Sequence, residues 1–219
     1  MLTFEKLKQN EDIKIYISGA DRSLAALGYT EHSFAHVTKV AKTCEYILSV
    51  IGKDPHEIEL AKIAAYLHDI GNLINRVDHS QSGAVMAFRI LDKMHMPAAD
   101  IATVVTAIGN HDEGTGVPVD DISAALILAD KSDVRRSRVR NRDKTTFDIH
   151  DRVNYSVKHS SLKINSQKTE IRLQLEIDTR YGSIMEYFEI FMQRMLLCRK
   201  AAEKLGLSFK LIINGQHLL

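Results

Sequence analysis

Cysteine is scarce in this sequence, and its scarcity excludes one class of protein. Only two cysteines, Cys44 and Cys198, occur among the 219 residues, and both lie within apolar helical patterns. A buried thiol in such a setting behaves as a small hydrophobic side chain. We therefore expect no disulfide framework.

Long apolar runs and a strong charge of one sign are also missing. Every apolar run is shorter than the roughly 20 residues that a membrane-spanning helix needs. Because the polar N-terminus lacks the layout of a secretory signal, we expect a cytoplasmic protein with no membrane partner. The formal net charge of +1 gives no global field that would recruit nucleic acid, although it does not exclude a nucleic-acid ligand.

Apolar residues at helical spacing fill the first two thirds of the chain. Asn10 is a predicted N-cap, and Gly28, Gly52 and Gly71 follow apolar seams as C-terminal stops. Pro97 suits a helix start. The pattern predicts helices over residues 10–27, 33–51, 57–70, 82–94, 98–108 and 122–136.

After about Thr145 the apolar period changes from 3.6 to 2. Residues 171–177 alternate as a half-buried strand, residues 162–164 form a hairpin with it, and residues 209–213 add a strand after a helix over 184–202. We therefore predict a mainly α protein with a helical domain over residues 1–144 and a small α+β appendage over 145–219. The appendage is expected to shape the substrate entrance or a homodimer contact through an exposed strand edge. Its histidines, His150, His159 and His217, are expected to lie away from any metal.

Histidines and aspartates recur at the ends or on the buried seams of separate predicted helices. His36 continues the apolar face of its helix, the pair His68 and Asp69 ends the most apolar helix, and Asp130 follows a buried run. Unpaired buried charges are costly, so these groups need a common partner. A divalent cation would satisfy several of them at once.

The residues around these positions resemble the HD-domain phosphohydrolases. The similarity lies in HVTKVA over residues 36–41, AAYLHDIG over residues 64–71 and LADK over residues 128–131. The resemblance covers residues 30 to 135 and implies an HD-type helical bundle. It also implies that His36, His68, Asp69 and Asp130 hold one metal, with Asp69 bridging to a second.

Two further histidines resemble the extra ligands of the two-metal branch of this superfamily. His79 precedes a glycine-alanine helix, and His111 follows an apolar helix. The alternatives are a polar loop residue for His79 and a helix-end histidine favoured by the helix dipole for His111. A centre with two ions is expected; Fe or Mn is favoured, Zn, Co and Ni are compatible, and Mg fits if oxygen ligands dominate.

One branch of the superfamily is not supported. The segment HDEGTGVP over residues 111–118 has one histidine where the cyclic-dinucleotide phosphodiesterases have two, and valine where they have tyrosine. Hydrolysis of cyclic di-GMP is therefore not expected.

Basic residues are concentrated after Asp130. Lys131, Arg135 and five further basic residues lie within residues 131–144, where a charge run is by default a solvated helix face. The functional alternative is a phosphate clamp. Lys131 directly follows a proposed ligand, and Arg135 lies one predicted helical turn beyond it. We expect Lys131, then Arg135, to contact a substrate phosphoryl group.

These features predict a metal-dependent phosphohydrolase that cleaves a phosphate ester or anhydride of a nucleotide or related small molecule. Asp69 would orient the nucleophile, and Lys131 would stabilise developing charge. Neither a P-loop nor a Ser-His-Asp order is present. Two alternatives stay open: a catalytically silent, metal-containing nucleotide-binding or interaction module, and an oxygen-using di-iron enzyme.

Overall fold

A computed structural model describes residues 2–219. Within them, the chain forms nine α-helices and a four-stranded sheet, which confirms the mainly α fold with a small C-terminal α+β part. The helices that precede the sheet are α1 Phe4–Lys8, α2 Glu11–Ala26, α3 Phe34–Ile51, α4 Pro55–Leu67, α5 His79–Lys93, α6 Ala98–Gly109 and α7 Asp121–Ser132. They are followed by α8 Ile149–Ser156, β1 Val157–Ile164, β2 Glu170–Ile177, α9 Ile184–Lys204, β3 Ser208–Ile213 and β4 Gln216–His217.

The helix ends follow local capping chemistry. The Asn10 side chain accepts a hydrogen bond from the backbone of Ile13, and Asp54 forms a capping box with Glu57 at the start of α4. Gly52 ends α3 at φ 86°, a left-handed conformation that glycine adopts without the steric cost of a Cβ. The capping residues therefore fix where α2, α3 and α4 begin and end.

Helix α7 is the central element of the bundle. Residues from Ile122 to Ala129 are at most 4% exposed, so all sides of the helix are covered. Its small and branched side chains allow α3, α4, α6 and α9 to pack around it. Asp130, at the end of this buried run, is therefore held by a rigid scaffold.

The sheet has the order β1-β2-β3-β4. The hairpin of β1 and β2 is antiparallel, as predicted, and β3 lies parallel to β2, with Leu173 opposite Leu211. A parallel pair needs a long crossover connection, which α9 provides. The alternating residues Ile171, Leu173 and Leu175 are buried on one face of β2.

Two predicted helix ends were wrong. Helix α7 ends at Ser132 rather than near 136, because Asp133 leaves helical geometry and its carboxylate bonds His36 and Lys39 of α3. Arg135 then lies in an extended segment, so it is not one helical turn beyond Lys131. Helix α4 ends at Leu67, and a short 3₁₀ helix over Ile70–Leu73 follows His68 and Asp69.

Helix α9 packs along α7, so the C-terminal part of the chain contacts the helical bundle directly. A boundary near residue 144 between two domains stays a prediction. In the range 2–219, no helix combines the length and apolarity needed to cross a membrane.

Candidate metal centre

Five helices bring the six proposed ligands to one place. His36 lies in the first turn of α3, His68 and Asp69 directly follow α4, His79 begins α5, His111 follows α6, and Asp130 lies near the end of α7. Four of the six positions are therefore at a helix end. A helix end directs a side chain towards a site without breaking the apolar seam of the helix.

Four of these side chains form a first group. The Nε2 atom of His36 lies 3.3 Å from Asp130 Oδ1 and 3.4 Å from Asp69 Oδ2. The Nε2 atom of His68 lies 3.2 Å from Asp69 Oδ2 and 3.7 Å from Asp130 Oδ1. One ligand atom each from His36, His68 and Asp130 fall within 4.8 Å of one another, a spacing at which a single cation can contact them.

A second group lies on the other side of Asp69. The Nε2 atoms of His79 and His111 are 3.2 Å apart, and His79 Nε2 is 3.6 Å from Asp69 Oδ1. Ligand atoms of His68, Asp69 and His111 also fall within 4.8 Å of one another. The two oxygens of Asp69 thus face different histidines: Oδ2 faces His36 and His68, and Oδ1 faces His79.

The histidine rings are held in one orientation by their other nitrogen. In His68, His79 and His111, Nδ1 donates to the carbonyl oxygen three residues earlier, at 2.7, 3.1 and 2.6 Å. In His36, Nδ1 donates to Asp133 Oδ2 at 2.8 Å. Because the proton on Nδ1 is used in this hydrogen bond, the lone pair of the neutral ring lies on Nε2 and is directed into the centre, as in histidines that bind metals.

Several buried atoms of the centre lack a hydrogen-bond partner among residues 2–219. They include Nε2 of His36, Nε2 of His68 and Oδ2 of Asp69. Leaving a buried polar atom unsatisfied costs about 1–3 kcal/mol, so three together need an explanation. A divalent cation would contact all three, and neutral imidazoles with carboxylates are suitable ligands, so the residues fit a metal.

The electrostatics of the centre are strongly coupled. Burial would raise the pKa of Asp69, but His68 and the other histidines around it hold that pKa well below its usual range. The carboxylates of Asp69 and Asp130 raise the pKa of His68 to about 10, against the effect of burial. Burial and nearby cationic groups lower the pKa of His111. Without metal, the first group therefore balances its carboxylates with protonated imidazole, whereas His111 is neutral.

One glycine and one aspartate in the segment before α5 allow the two groups of ligands to lie close together. A Cβ at Gly71 would overlap the carbonyl oxygen of His79, so only glycine allows this approach of the segment after Asp69 to α5. Asp78 adopts a left-handed conformation at φ 55°, directly before His79. Such strain in a non-glycine residue is frequent at functional sites.

Asp133 is a member of the site that the sequence analysis missed. It is 1% exposed, and besides His36 it bonds Lys39 Nζ at 2.7 Å and Arg135 Nε at 2.9 Å. Burial would raise the pKa of Asp133, but His36, Arg138 and Lys39 hold it well below the usual range. The sequence signal that could have identified Asp133 is an acidic residue within a basic run, three residues after Asp130.

Asp133→Asn is expected to weaken metal binding by about 10- to 100-fold, because removing an outer-shell partner of a ligand histidine has effects of that size. The single amide oxygen would be taken by the donors Lys39 and Arg135, so the ring of His36 would face the amide nitrogen and lose the acceptor that fixes its tautomer. Metal affinity measured by chelator competition tests this, with Asp92→Asn on the exposed end of α5 as the matched control. Equal metal affinity in Asp133→Asn and in the control would contradict the positioning role.

The two predicted phosphate contacts are placed differently. Lys131 Nζ lies 2.6 Å from Glu113 Oε2 and 2.8 Å from Asp130 Oδ2, and the residue lines the cavity that leads to the centre. Arg135 pairs with Asp133 and Glu31 and is not part of the cavity wall. The structure therefore brings Lys131 to the centre and leaves Arg135 behind it.

A cavity of about 420 Å³ gives access to the centre. Its wall contains five carboxylates, from Asp69, Glu113, Asp130, Asp148 and Asp151. Four cationic side chains, from Arg76, Lys131, Arg138 and Arg194, also line it. Apolar surface is contributed by Leu27, Tyr29, Ile190 and Phe191. Helices α8 and α9 thus form part of the wall.

Three residues of the cavity wall were not expected there from the sequence. His150, which was expected to lie away from the centre, is one of the lining residues. Arg76 and Glu113 also lie on the wall and were not predicted, since each comes from an irregular segment between helices. His159 and His217 lie on β1 and β4, outside this wall.

Similarity to known proteins agrees with this geometry. The family model of the HD domain matches residues 33–136, which include all six proposed ligands. Residues 33–136 are thus similar to the HD domain, whose superfamily consists generally of metal-dependent hydrolases.

Two individual proteins are similar over most of their length. An uncharacterized protein of Methanocaldococcus jannaschii is 24% identical over an alignment 200 residues long, which covers 80% of this chain and 75% of the relative. A crystal structure of a predicted HD superfamily hydrolase from an uncultured Thermotogales bacterium is 26% identical. It covers 62% of this chain and 75% of its own, with a TM-score of 0.45.

Proposed function

We propose that this protein is a metal-dependent phosphohydrolase that cleaves a phosphate ester or anhydride of a nucleotide or a related small organic molecule. The observation that carries the proposal is the group of buried, unpartnered atoms on His36, His68 and Asp69, which reaches an accessible cavity through Asp69. Unpaired buried polar atoms destabilise an apolar core, whereas they are common in functional sites, where a ligand satisfies them.

The ligand atoms divide between two ions. His36, His68, Asp69 and Asp130 would hold one, and His79 and His111 with Asp69 would hold the other. A set of four imidazole nitrogens and two carboxylates favours Fe or Mn, is compatible with Zn, Co and Ni, and disfavours Mg, which prefers oxygen ligands. When bound, the ions supply Lewis-acid chemistry: they polarise a phosphoryl oxygen and lower the pKa of water.

The protein's own side chains position the reaction. Asp69 faces both groups of histidines and would orient the attacking water between them. Lys131 pairs with Asp130 and Glu113, which keeps the Asp130 carboxylate in place, and the residue lines the cavity in which phosphoryl charge would develop. The hydrogen bonds at Nδ1 keep the histidines in the tautomer that leaves Nε2 free.

The cavity wall supports an anionic organic substrate. Its carboxylates outnumber its cationic side chains by one, so divalent ions change the formal charge of the wall to positive. A volume of about 420 Å³ is typical of sites for small molecules. The apolar side formed by Leu27, Tyr29, Ile190 and Phe191 suits a nucleoside or similar group better than inorganic phosphate chains.

A turnover panel tests the function. Anaerobically purified protein is analysed for metal and then supplied with Mn²⁺, Fe²⁺, Co²⁺ or Zn²⁺. Nucleoside mono-, di- and triphosphates, phosphodiesters and inorganic pyrophosphate are offered as substrates. We expect metal-dependent release of phosphate from an organic substrate in preference to pyrophosphate. Nucleotide binding without turnover under every metal would instead favour a silent module, and oxygen consumption by the reduced iron form would favour a di-iron oxygenase.

A further inference from the structure

Arg76 lies next to the second group of histidines. It belongs to the segment between the 3₁₀ helix and α5, lines the cavity and is half-buried. One guanidinium nitrogen, Nη1, lies 3.3 Å from His79 Nε2 and 3.4 Å from Asn72 Oδ1. The guanidinium carbon lies 5.7 Å from the centroid of the Tyr29 ring.

Arg76 differs from the other cations of the cavity in its partners. Lys131 and Arg194 both pair with Glu113, at 2.6 and 2.7 Å, and Arg138 lies 3.8 Å from Asp133. Across residues 2–219, no carboxylate lies within 4.0 Å of the Arg76 guanidinium. Its charge is therefore not neutralised by an ion pair and is available to an anion in the cavity.

The hydrogen bond between Arg76 and His79 depends on the state of the centre. His79 Nε2 is the only acceptor that this imidazole offers, because Nδ1 donates to the carbonyl oxygen of Arg76 itself at 3.1 Å. A cation bound at Nε2 would remove that acceptor. The guanidinium would then retain Asn72 and face the cavity with free donors, while the backbone bond keeps it beside His79.

We propose that Arg76 binds the phosphoryl group of the substrate, with the Tyr29 ring supporting the guanidinium in the same subsite. The inference rests on the proposed function, because it takes the ligand of the cavity to be phosphorylated. A planar guanidinium presents paired donors that match two phosphoryl oxygens, and an aromatic face favours its planar cation. Arg76 thereby takes the role that the sequence analysis gave to Arg135.

Binding of inorganic phosphate tests the subsite without requiring turnover. Isothermal titration calorimetry is run on the full chain saturated with Mn²⁺, comparing the wild type with Arg76→Gln, Arg76→Lys and Arg135→Gln. The matched control is Arg89→Gln on α5, whose side chain is 79% exposed and is not part of this wall. Metal content is measured for every protein in the same buffer.

We expect Arg76→Gln to weaken phosphate binding by about 10- to 100-fold, the range given by loss of a charged hydrogen bond. Arg76→Lys should lose less, and Arg89→Gln should match the wild type. In turnover assays, Arg76→Gln should raise KM more than it lowers kcat. Metal content should stay unchanged.

Four results would overturn the inference: no phosphate binding by the Mn²⁺-saturated wild type, wild-type affinity in Arg76→Gln, an equal or larger loss in Arg135→Gln, or loss of metal from Arg76→Gln at saturating Mn²⁺. The function and the subsite can fail separately. Arg76-dependent phosphate binding without turnover of any ester supports the subsite and contradicts the hydrolase. Turnover with phosphate binding that does not depend on Arg76 does the reverse.

Discussion

Asp69→Ala is expected to reduce metal-dependent turnover by at least about 10²–10³-fold, the range seen when one preorganised electrostatic contact is removed from an active site. The effect should be at the upper end, because the two oxygens of Asp69 face both groups of histidines. Its removal would leave no carboxylate between the two groups of histidines. Bound metal should fall in the same variant.

The same substitution should leave the fold largely intact. Asp69 follows α4 rather than filling the apolar core, and without its carboxylate His68 can remain neutral, so no uncompensated charge is buried. Circular dichroism and metal analysis of Asp69→Ala, with Asp12→Ala at the exposed side of α2 as control, separate loss of the centre from unfolding. Wild-type turnover and wild-type metal content in Asp69→Ala would rule out the bridging role.

Metal affinity is expected to rise steeply with pH. The pKa of His68 is raised to about 10, and that of His36 is raised as well, so the metal-free first group holds protons at neutral pH. A cation needs the neutral imidazole and must displace them. For each proton displaced, the apparent Kd should fall about 100-fold between pH 6 and pH 8.

The second group should behave differently. The pKa values of His79 and His111 are lowered by burial and by nearby charges, so their Nε2 atoms are already free of protons at neutral pH. Chelator competition at pH 6, 7 and 8, with calorimetry in buffers of different ionisation enthalpy, counts the protons released per ion. Affinity for the first ion that does not change with pH would contradict the charge balance described for His36 and His68.

The folding stability of the metal-free protein should fall as pH rises, whereas metal affinity rises. Because the folded pKa of His68 lies above its unfolded value, the interaction of its cation with Asp69 is fully present below about pH 6.5. It is lost as pH rises towards about 10. Metal-free protein should therefore lose stability as pH rises from about 6.5 towards about 10, and bound metal should reduce that loss.

The sequence predicted the parts of the fold that depend on local periodicity. The alternation along β2 and the apolar seams of α3 and α7 are one-dimensional patterns, so their elements could be identified without any partner. The parallel pairing of β2 with β3 could not, because it depends on how α9 crosses the sheet. The end of α7 was misplaced because it is set by long-range bonds of Asp133 to His36 and Lys39.

The residues of the candidate site likewise divide into those that the sequence predicts and those that it does not. His36, His68, Asp69 and Asp130 stand in or beside apolar helices, where a polar residue is conspicuous in the sequence. Arg76 and Asp133 lie in irregular segments, where charged residues are ordinary. Their importance depends on the left-handed turn at Asp78 and on the departure of the chain from α7, neither of which has a distinct sequence signal.

Anomalous diffraction from crystals of the full chain grown with Mn²⁺ tests the central claim most directly. The account predicts one anomalous peak among His36, His68, Asp69 and Asp130, and a second beside His79 and His111, with Asp69 contacting both. Crystals that hold Mn²⁺ elsewhere, or show no anomalous peak among these six side chains, would contradict it.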